Sequence, residues 1–217
     1  MGSRRGTLGT QQERSGLARA KLIDATIALI GEQGFSGFSV SDVGRRAGLG
    51  RALAGHHFKS SKALIRAAAM SLLQDDSTSM DPGLSPLLGW IEAQLGRAAA
   101  RDPRLIATLQ VALGPGALEV QDLKEEYWRR ECGRIQQQLT SARALHQVDP
   151  DLDPTEAASS VLGMLHGEQL RIIATGQPPG PTLLVALQRA LAAGTRQKTP
   201  QKGVSTKSAR LDLFGEA

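Results

Sequence analysis

Apolar residues recur along most of this chain at three- and four-residue intervals, the period of a helix buried on one face. Leu22, Ile23, Thr26, Ile27, Leu29 and Ile30 form the first such stripe, with Ser15 ahead of it as an N-cap and Gly34 behind it as a C′ glycine. Ser39 opens a second element, with Asp42 three residues on as an approximate capping box and Val40, Val43 and Ala47 turned inward. Ala47-Gly48-Leu49 breaks that helix, and a third short one is expected from about Gly50 to His57. Ser60 or Ser61 caps a fourth, whose apolar face is Leu64, Ile65, Ala68 and Leu72. Three short helices on tight turns followed by a long one leading away predict a helix-turn-helix with a connecting helix.

Residues 75–86 are polar and carry Pro and Gly, so they predict a loop between this head and a larger body. Helices are expected in the body at about 86–101, 103–113, 117–145, 154–175 and 181–194. Pro103 and Pro154 each follow an Asp and suit the first turn of a helix. The expected division is a disordered basic arm over 1–14 and a helix-turn-helix domain with its connecting helix over 15–74. A helical body follows over 75–195, then a flexible basic tail over 196–217. The fold class is all-α, with about nine helices.

Composition supports this division. Hydrophobic residues make up 41 % of the 217 and aromatics only 3 %, with Leu and Ala prominent, which favours packed helices over a β-sandwich. With no apolar run of about 18 residues and no signal-peptide core, the expectation is a soluble, cytoplasmic protein. The single cysteine, Cys132, excludes an intrachain disulfide and a multi-Cys metal site. Residues 1–74 hold 11 Lys/Arg against 4 Asp/Glu, while residues 75–195 hold 10 against 15. A basic head on an acidic body is the footprint of a phosphate-bearing partner at one end, although a solvated basic face gives the same count.

In a helix-turn-helix the second helix lies in the major groove, its first residues near base edges. Here those residues are Gly50, Arg51 and Ala52. Arg51 is suited either to guanine O6 and N7 or to a phosphate, and Ala52 to a thymine methyl, whereas Leu53 reads as core. Of the adjacent pair His56 and His57, one is expected to donate to a phosphate and the other to pack inside. Neighbouring helical residues point about 100° apart, so the two are not a chelating pair and no metal site is expected. Phe58 is expected in the head core beside Ile27, Val43 and Leu64. Lys59, Ser60 and Lys62 form a phosphate seat at the start of the fourth helix. Ser39 and Arg45, at the two ends of the second helix, complete the expected DNA-binding set. For Arg45 and Arg46, a charge facing solvent at a helix C-terminus is an equal reading.

The stretch from Lys21 to Ile65 resembles the DNA-binding domain of TetR/AcrR-type regulators. The resemblance is carried by Glu32-Gln33-Gly34-Phe35, the Ser39 to Val43 helix, Ala47-Gly48-Leu49, His56-His57-Phe58 and the Lys-bearing start of the fourth helix. It departs at Gly50, where the family usually has Ser or Thr. Ala54-Gly55 stands where many members have Leu-Tyr, and Ser61 replaces a Lys. The small residue followed by His at Gly55-His56 is similar to the choline-responsive, BetI-like branch. These departures place more of any grip on Arg51, His56, Lys59, Lys62 and the arm arginines.

The resemblance implies a homodimer joined by a four-helix bundle of the last two helices. Val161, Met164, Leu165 and Ile172, with Leu184, Leu187 and Leu191, are the expected interface, completion of this chain's own core being the competing role, and Gly163 and Gly167 allow close approach. It also implies an effector pocket within the body, for which Trp90, Leu109, Leu113, Trp128, Met164 and His166 are candidate lining residues and core packing is the competing role. Glu92 and Glu168 are candidates for meeting a cationic effector. The function this implies is a sequence-specific transcriptional regulator, a repressor released from a palindromic operator by a small molecule. Partners are then double-stranded DNA, a second copy and an unknown effector, with no cofactor. The competing readings are a DNA-binding or interaction protein without an effector, and a helical enzyme. No G-x-S-x-G, H-E-x-x-H or phosphate-binding glycine loop supports the last.

Overall fold

Local chemistry sets the helix ends, and the tertiary arrangement follows from which faces those helices leave apolar. The computed structural model describes residues 5–34, 37–73, 80–114, 120–180 and 182–192. Among them it has nine α-helices and no strand. These are α1 (Arg5–Gln33), α2 (Val40–Arg46), α3 (Arg51–His57), α4 (Ser61–Leu73), α5 (Leu84–Ala99), α6 (Pro103–Leu113), α7 (Gln121–Ala144), α8 (Pro154–Thr175) and α9 (Thr182–Ala192).

Asp102 accepts hydrogen bonds from the backbone N–H of Arg104 and Leu105, with Pro103 in the first turn of α6. Asp153 and Pro154 repeat the device at α8, where the Asp accepts from Thr155 N–H at 2.8 Å. Each cap satisfies donors that the first helical turn leaves unpaired. Gly34 (φ 74°) and Gly176 (φ 69°) lie beyond the ends of α1 and α8 in the left-handed region, which only glycine enters freely. Ser60 Oγ, rather than that of Ser61, receives the Ala63 N–H at the start of α4.

Helix α1 corrects one expectation, since it runs back to Arg5 through most of the segment expected as a disordered arm. Gln11, Gln12, Glu13 and Arg14 are exposed. They are good helix formers with no apolar partner, so the hydrophobic period was silent there. Once a helix is nucleated, each added residue gains one backbone hydrogen bond at small cost. Residues 1–4, the loop at 74–79 and the tail beyond residue 192 lie outside the described residues.

Three apolar clusters organise the chain. The first, in the head, gathers Leu22, Ala25, Leu29, Val43, Ala54, Phe58 and Leu64 from α1 to α4. Ile27 faces away from this group. It joins Ile30, Ile65, Ala68, Leu72 and Leu73 against Ala107, Val111 and Ala112 of α6 and Tyr127 of α7. This second cluster fuses head to body. The crossing of α1 over α6 is close at Gly31, where a Cβ would stand 3.1 Å from the Pro103 carbonyl oxygen. The third cluster is the body core of α5 to α9.

That body core also corrects the expected interface. Val161, Leu165, Ile172, Leu187 and Leu191 are buried in this chain's own core, and Leu184 packs half-buried against it. Helix α8 carries apolar residues on two faces. The stripe through 161, 165 and 172 faces α5 and α7, and the other stripe faces out. On that outer face Met164 and Leu170 are 46 % and 47 % exposed, and Gly163 and Gly167 have open space above them. Val185 of α9 is exposed as well. Leu53, expected in the core, is exposed on α3, while Ala54 beside it is fully buried.

Candidate DNA-binding face and body cavity

Helix α2 is fixed by a complete capping box: Ser39 Oγ accepts the Asp42 N–H, and Asp42 accepts the Ser39 N–H at 2.9 Å. Ser39 Oγ also donates to Asp42 at 2.6 Å, so this hydroxyl is engaged within the head. These bonds from Ser39, aided by the Arg45 guanidinium, hold the Asp42 carboxyl below its ordinary pKa. Arg45 keeps a largely exposed side chain while pairing with Asp42 at 2.6 Å. Arg46 is committed elsewhere, to a two-bond pair with Glu32 that ties α2 to α1.

The turn into α3 is tight. Leu49 N–H donates to the Gly44 carbonyl at 2.8 Å. A Cβ on Gly44 would stand 3.1 Å from the Ala54 Cβ and 3.2 Å from the Leu49 carbonyl oxygen. Gly44 therefore sets how closely α2 and α3 cross. Gly50 is the N-cap of α3 with no side-chain hydrogen bond, as its lack of a side chain requires.

Arg51 and Ala52 are exposed in the first turn of α3, with His56 on its outer surface and His57 half-buried. The two imidazoles pack edge to face at 5.5 Å. No group of three or more metal-binding side chains occurs among the described residues. Ser39, Arg51, Gly55 and Lys59 line one surface hollow whose floor is Phe58. Phe58 is itself buried, under a guanidinium from Arg19 that lies 5.4 Å from the ring centre. Lys59, Ser60 and Lys62 are exposed at the turn into α4. The structure thus brings Ser39, Arg51 and Lys59 of the expected DNA-binding residues around one hollow of the head.

A second site lies in the body. A cavity of about 110 Å³ opens where α5, α6, α7 and α8 meet, and Leu72 at the end of α4 forms part of its wall. Of the six residues expected to line a pocket, Trp90 and His166 do so. Leu109 and Leu113 pack with the body core. Trp128 stands edge-on to His166 with ring centres 5.4 Å apart. Met164 is corrected outright, because it points out of the body.

The wall holds polar groups that sequence reasoning missed. Tyr127 hydroxyl and His166 Nε2 are hydrogen-bonded at 3.0 Å, and both residues are buried. Burial pulls the His166 pKa down to about 4, so the imidazole is neutral at physiological pH. Burial, reinforced by the nearby Glu131 carboxylate, pushes the Tyr127 hydroxyl upward. Glu131 is 6 % exposed and takes long contacts from Arg130 (3.4 Å) and Arg134 (3.5 Å). Arg104 donates to the Ser71 carbonyl and hydroxyl, linking α6 to α4 at the cavity edge. Helical spacing held a usable signal: Gln169 follows His166 by three residues and Arg134 follows Arg130 by four, so each pair shares a face. Glu168 pairs with Arg171 and Glu92 is exposed, and neither lines the cavity.

Comparison with known proteins adds to this geometry. Residues 22–68 match the family model described as bacterial regulatory proteins, tetR family. The HTH-type transcriptional regulator BetI of Agrobacterium fabrum is 41 % identical over 59 residues, covering 27 % of this chain and 29 % of that protein. The chain thus spans less than a third of that relative's length. BetI of Cronobacter sakazakii is 24 % identical over 176 residues, covering 75 % of this chain and 82 % of that one. Among solved structures, SmeT, the repressor of the Stenotrophomonas maltophilia multidrug efflux pump, superposes with a TM-score of 0.57 at 22 % identity. That match covers 79 % of this chain and 88 % of SmeT. SmeT is also known in complex with triclosan.

Proposed function

We propose that this chain, whose residues 22–68 match the tetR-family model, is a TetR-type regulator: a homodimeric, sequence-specific DNA-binding repressor released by a small molecule. The observation that carries this reading is the exposed first turn of α3, with Arg51 and Ala52 outward and Lys59 beside them, set on a head whose own core is complete. Arg51 reaches base edges in the major groove, while Lys59, Lys62 and His56 hold phosphates. Residues up to Leu73 act as the reading head and α5 to α9 as the sensing and pairing body.

The outer stripe of α8, with Met164, Leu170 and the two glycines, pairs with its copy on a second chain, and α9 adds Val185. Two heads on a two-fold axis then meet half-sites about one helical turn, or a multiple of it, apart. A ligand in the cavity touches Leu72 and the Arg104–Ser71 link at the end of α4, and α4 packs in the same cluster as α1. A shift there changes head separation and lowers affinity by the coupling energy, typically about 1–3 kcal/mol. The known triclosan complex of SmeT supports a ligand-holding body on this fold.

The test is selection of binding sites from fragmented genomic DNA with the full chain. An inverted repeat is the expected product. A protein that enriches no repeat, or binds every fragment alike, is not an operator-specific repressor.

A further inference from the structure

Ala54 is fully buried beside Gly44 of α2, and so marks the direction in which α3 faces the head. Successive helical residues turn by about 100°, so Ala52 and His56 lie within about 20° of the opposite, outward direction, with Gly55 and Leu53 about 80° to either side. The exposures agree: Arg51, Ala52, Leu53, Gly55 and His56 are exposed, while His57, turned further back, is half-buried. Leu53 is 41 % exposed. Periodicity expects this residue in the core, and the structure turns it instead to the face that a helix-turn-helix lays in the major groove. Gly50 and Gly55 put no side chain on that surface, and a Cβ at either would meet open space, so the helix can approach a duplex closely.

The side chains of α3 limit what it can read. Its sequence, Arg51-Ala52-Leu53-Ala54-Gly55-His56-His57, holds no Asn, Gln, Asp or Glu. The bidentate contact to adenine takes Asn or Gln, and acceptance from cytosine N4 takes Asp or Glu, so neither is open to this helix. What remains is Arg51 for guanine, the His56 imidazole, and apolar contact with the methyl group of thymine. Ala52 ends at its Cβ, whereas Leu53 carries a branched isobutyl group. One exposed leucine is ordinary on a protein surface. This one is singled out by its place, two residues from Arg51 on a helix whose neighbouring hollow is lined by Arg51 and Lys59 and by no carboxylate.

We propose that Leu53 is a specificity-determining residue, which packs on the 5-methyl group of a thymine in each operator half-site. The contact takes two apolar groups out of water, and cytosine at the same place offers no methyl to meet. Arg51 then selects a guanine and Leu53 a thymine within one half-site. This inference rests on reading α3 as the DNA-reading helix and adds a base contact to it.

The experiment is fluorescence anisotropy of the full chain on the inverted repeat recovered by genomic selection. Each thymine is replaced in turn, in both half-sites, by deoxyuridine. Uracil keeps the O4 acceptor and the pairing edge of thymine and lacks only the methyl. Burial of one such carbon is worth about fourfold in affinity, so one thymine per half-site is expected to weaken binding by about fifteenfold when replaced in both. In Leu53→Ala the difference between thymine and uracil at that position shrinks to less than about twofold, as expected when the two changes remove the same contact. Circular dichroism establishes that the variant is folded, and its affinity for a scrambled duplex stays that of the wild type. A half-site without thymine, a uracil series with no effect at any position, or a thymine effect that persists in full in Leu53→Ala overturns the proposal. Each of these leaves the operator-specific protein standing, because the repeat is still bound. Recovery of no repeat removes that reading, and this contact with it.

Discussion

Removing the hydroxyl of Tyr127 isolates one hydrogen bond inside the body without opening a cavity. In Tyr127→Phe the ring keeps its place against Ala107, Val111 and Ile65, but His166 loses the oxygen 3.0 Å from Nε2. His166 Nδ1 already has no partner, so both nitrogens of a buried imidazole are then unpaired. A net hydrogen bond contributes about 0.5–1.5 kcal/mol, and orphaning a buried polar atom costs about 1–3 kcal/mol. The expected loss is therefore about 1–3 kcal/mol, read by urea unfolding at fixed protomer concentration, since a dimer's stability depends on concentration. The double variant Tyr127→Phe/His166→Leu removes donor and acceptor together, so its loss falls short of the sum of the single losses by about 1 kcal/mol. His166 is neutral well below pH 6, so the Tyr127→Phe loss is the same at pH 5.5 and pH 8. Additive losses in the cycle, or a single-variant loss that vanishes at pH 5.5, would refute the assignment.

Other outcomes follow from the same geometry. Gly44→Val forces α2 and α3 apart, costing about 1–3 kcal/mol in overpacking, and abolishes DNA binding while helicity by circular dichroism is retained; full DNA affinity in this variant contradicts the close crossing. The His166 pKa of about 4 lies below the unfolded value near 6.5, so unfolding takes up a proton between them. This contribution is complete above pH 6.5 and is lost as pH falls toward 4, amounting to about 3 kcal/mol, and a pH series of unfolding curves should show it in the wild type and not in His166→Leu. Lys59→Ala lowers affinity for all sequences alike and reduces the slope of log affinity against log salt by about 1; a sequence-dependent loss would make Lys59 a base contact instead. Met164→Asp with Leu170→Glu on the outer stripe of α8 shifts the chain to monomer in sedimentation, and an unchanged dimer moves the interface elsewhere.

The head was legible in the sequence because its signals are local. A serine with an aspartate three residues on makes a capping box by chemistry alone, and Gly34 stops α1 because few other residues tolerate a positive φ. Asp153-Pro154 fixed the start of α8 at Pro154, the residue expected. The misreadings share one physical source: periodicity says that a face is apolar, not what covers it. Val161 and Leu165 look the same to a pattern as Met164 and Leu170, yet the first pair closes this chain's core and the second stands in solvent. Gln11 to Arg14 shows the converse, a stretch of helix with no apolar residue to announce it. The cavity was the least legible part. Its wall draws Arg104, Arg130, Arg134 and Gln169 from three helices, and in sequence each reads as an ordinary solvated residue. Only packing reveals that Glu131 is buried between two arginines and that Gln169 is left without a partner for its oxygen.

On the proposed function, the exposed turn of α3 reads DNA sequence. Fluorescence anisotropy of the chain on its selected inverted repeat, and on a scrambled duplex of the same length, measures this directly across 50–200 mM salt (roughly the span over which phosphate contacts are screened). Two protomers bind per repeat, with a preference for it of about a thousandfold or more that falls by about 1–3 kcal/mol per half-site in Arg51→Ala, while binding to the scrambled duplex changes little; this is the expected result. Equal affinity for the two duplexes, or an Arg51→Ala variant that keeps the full preference, would contradict it.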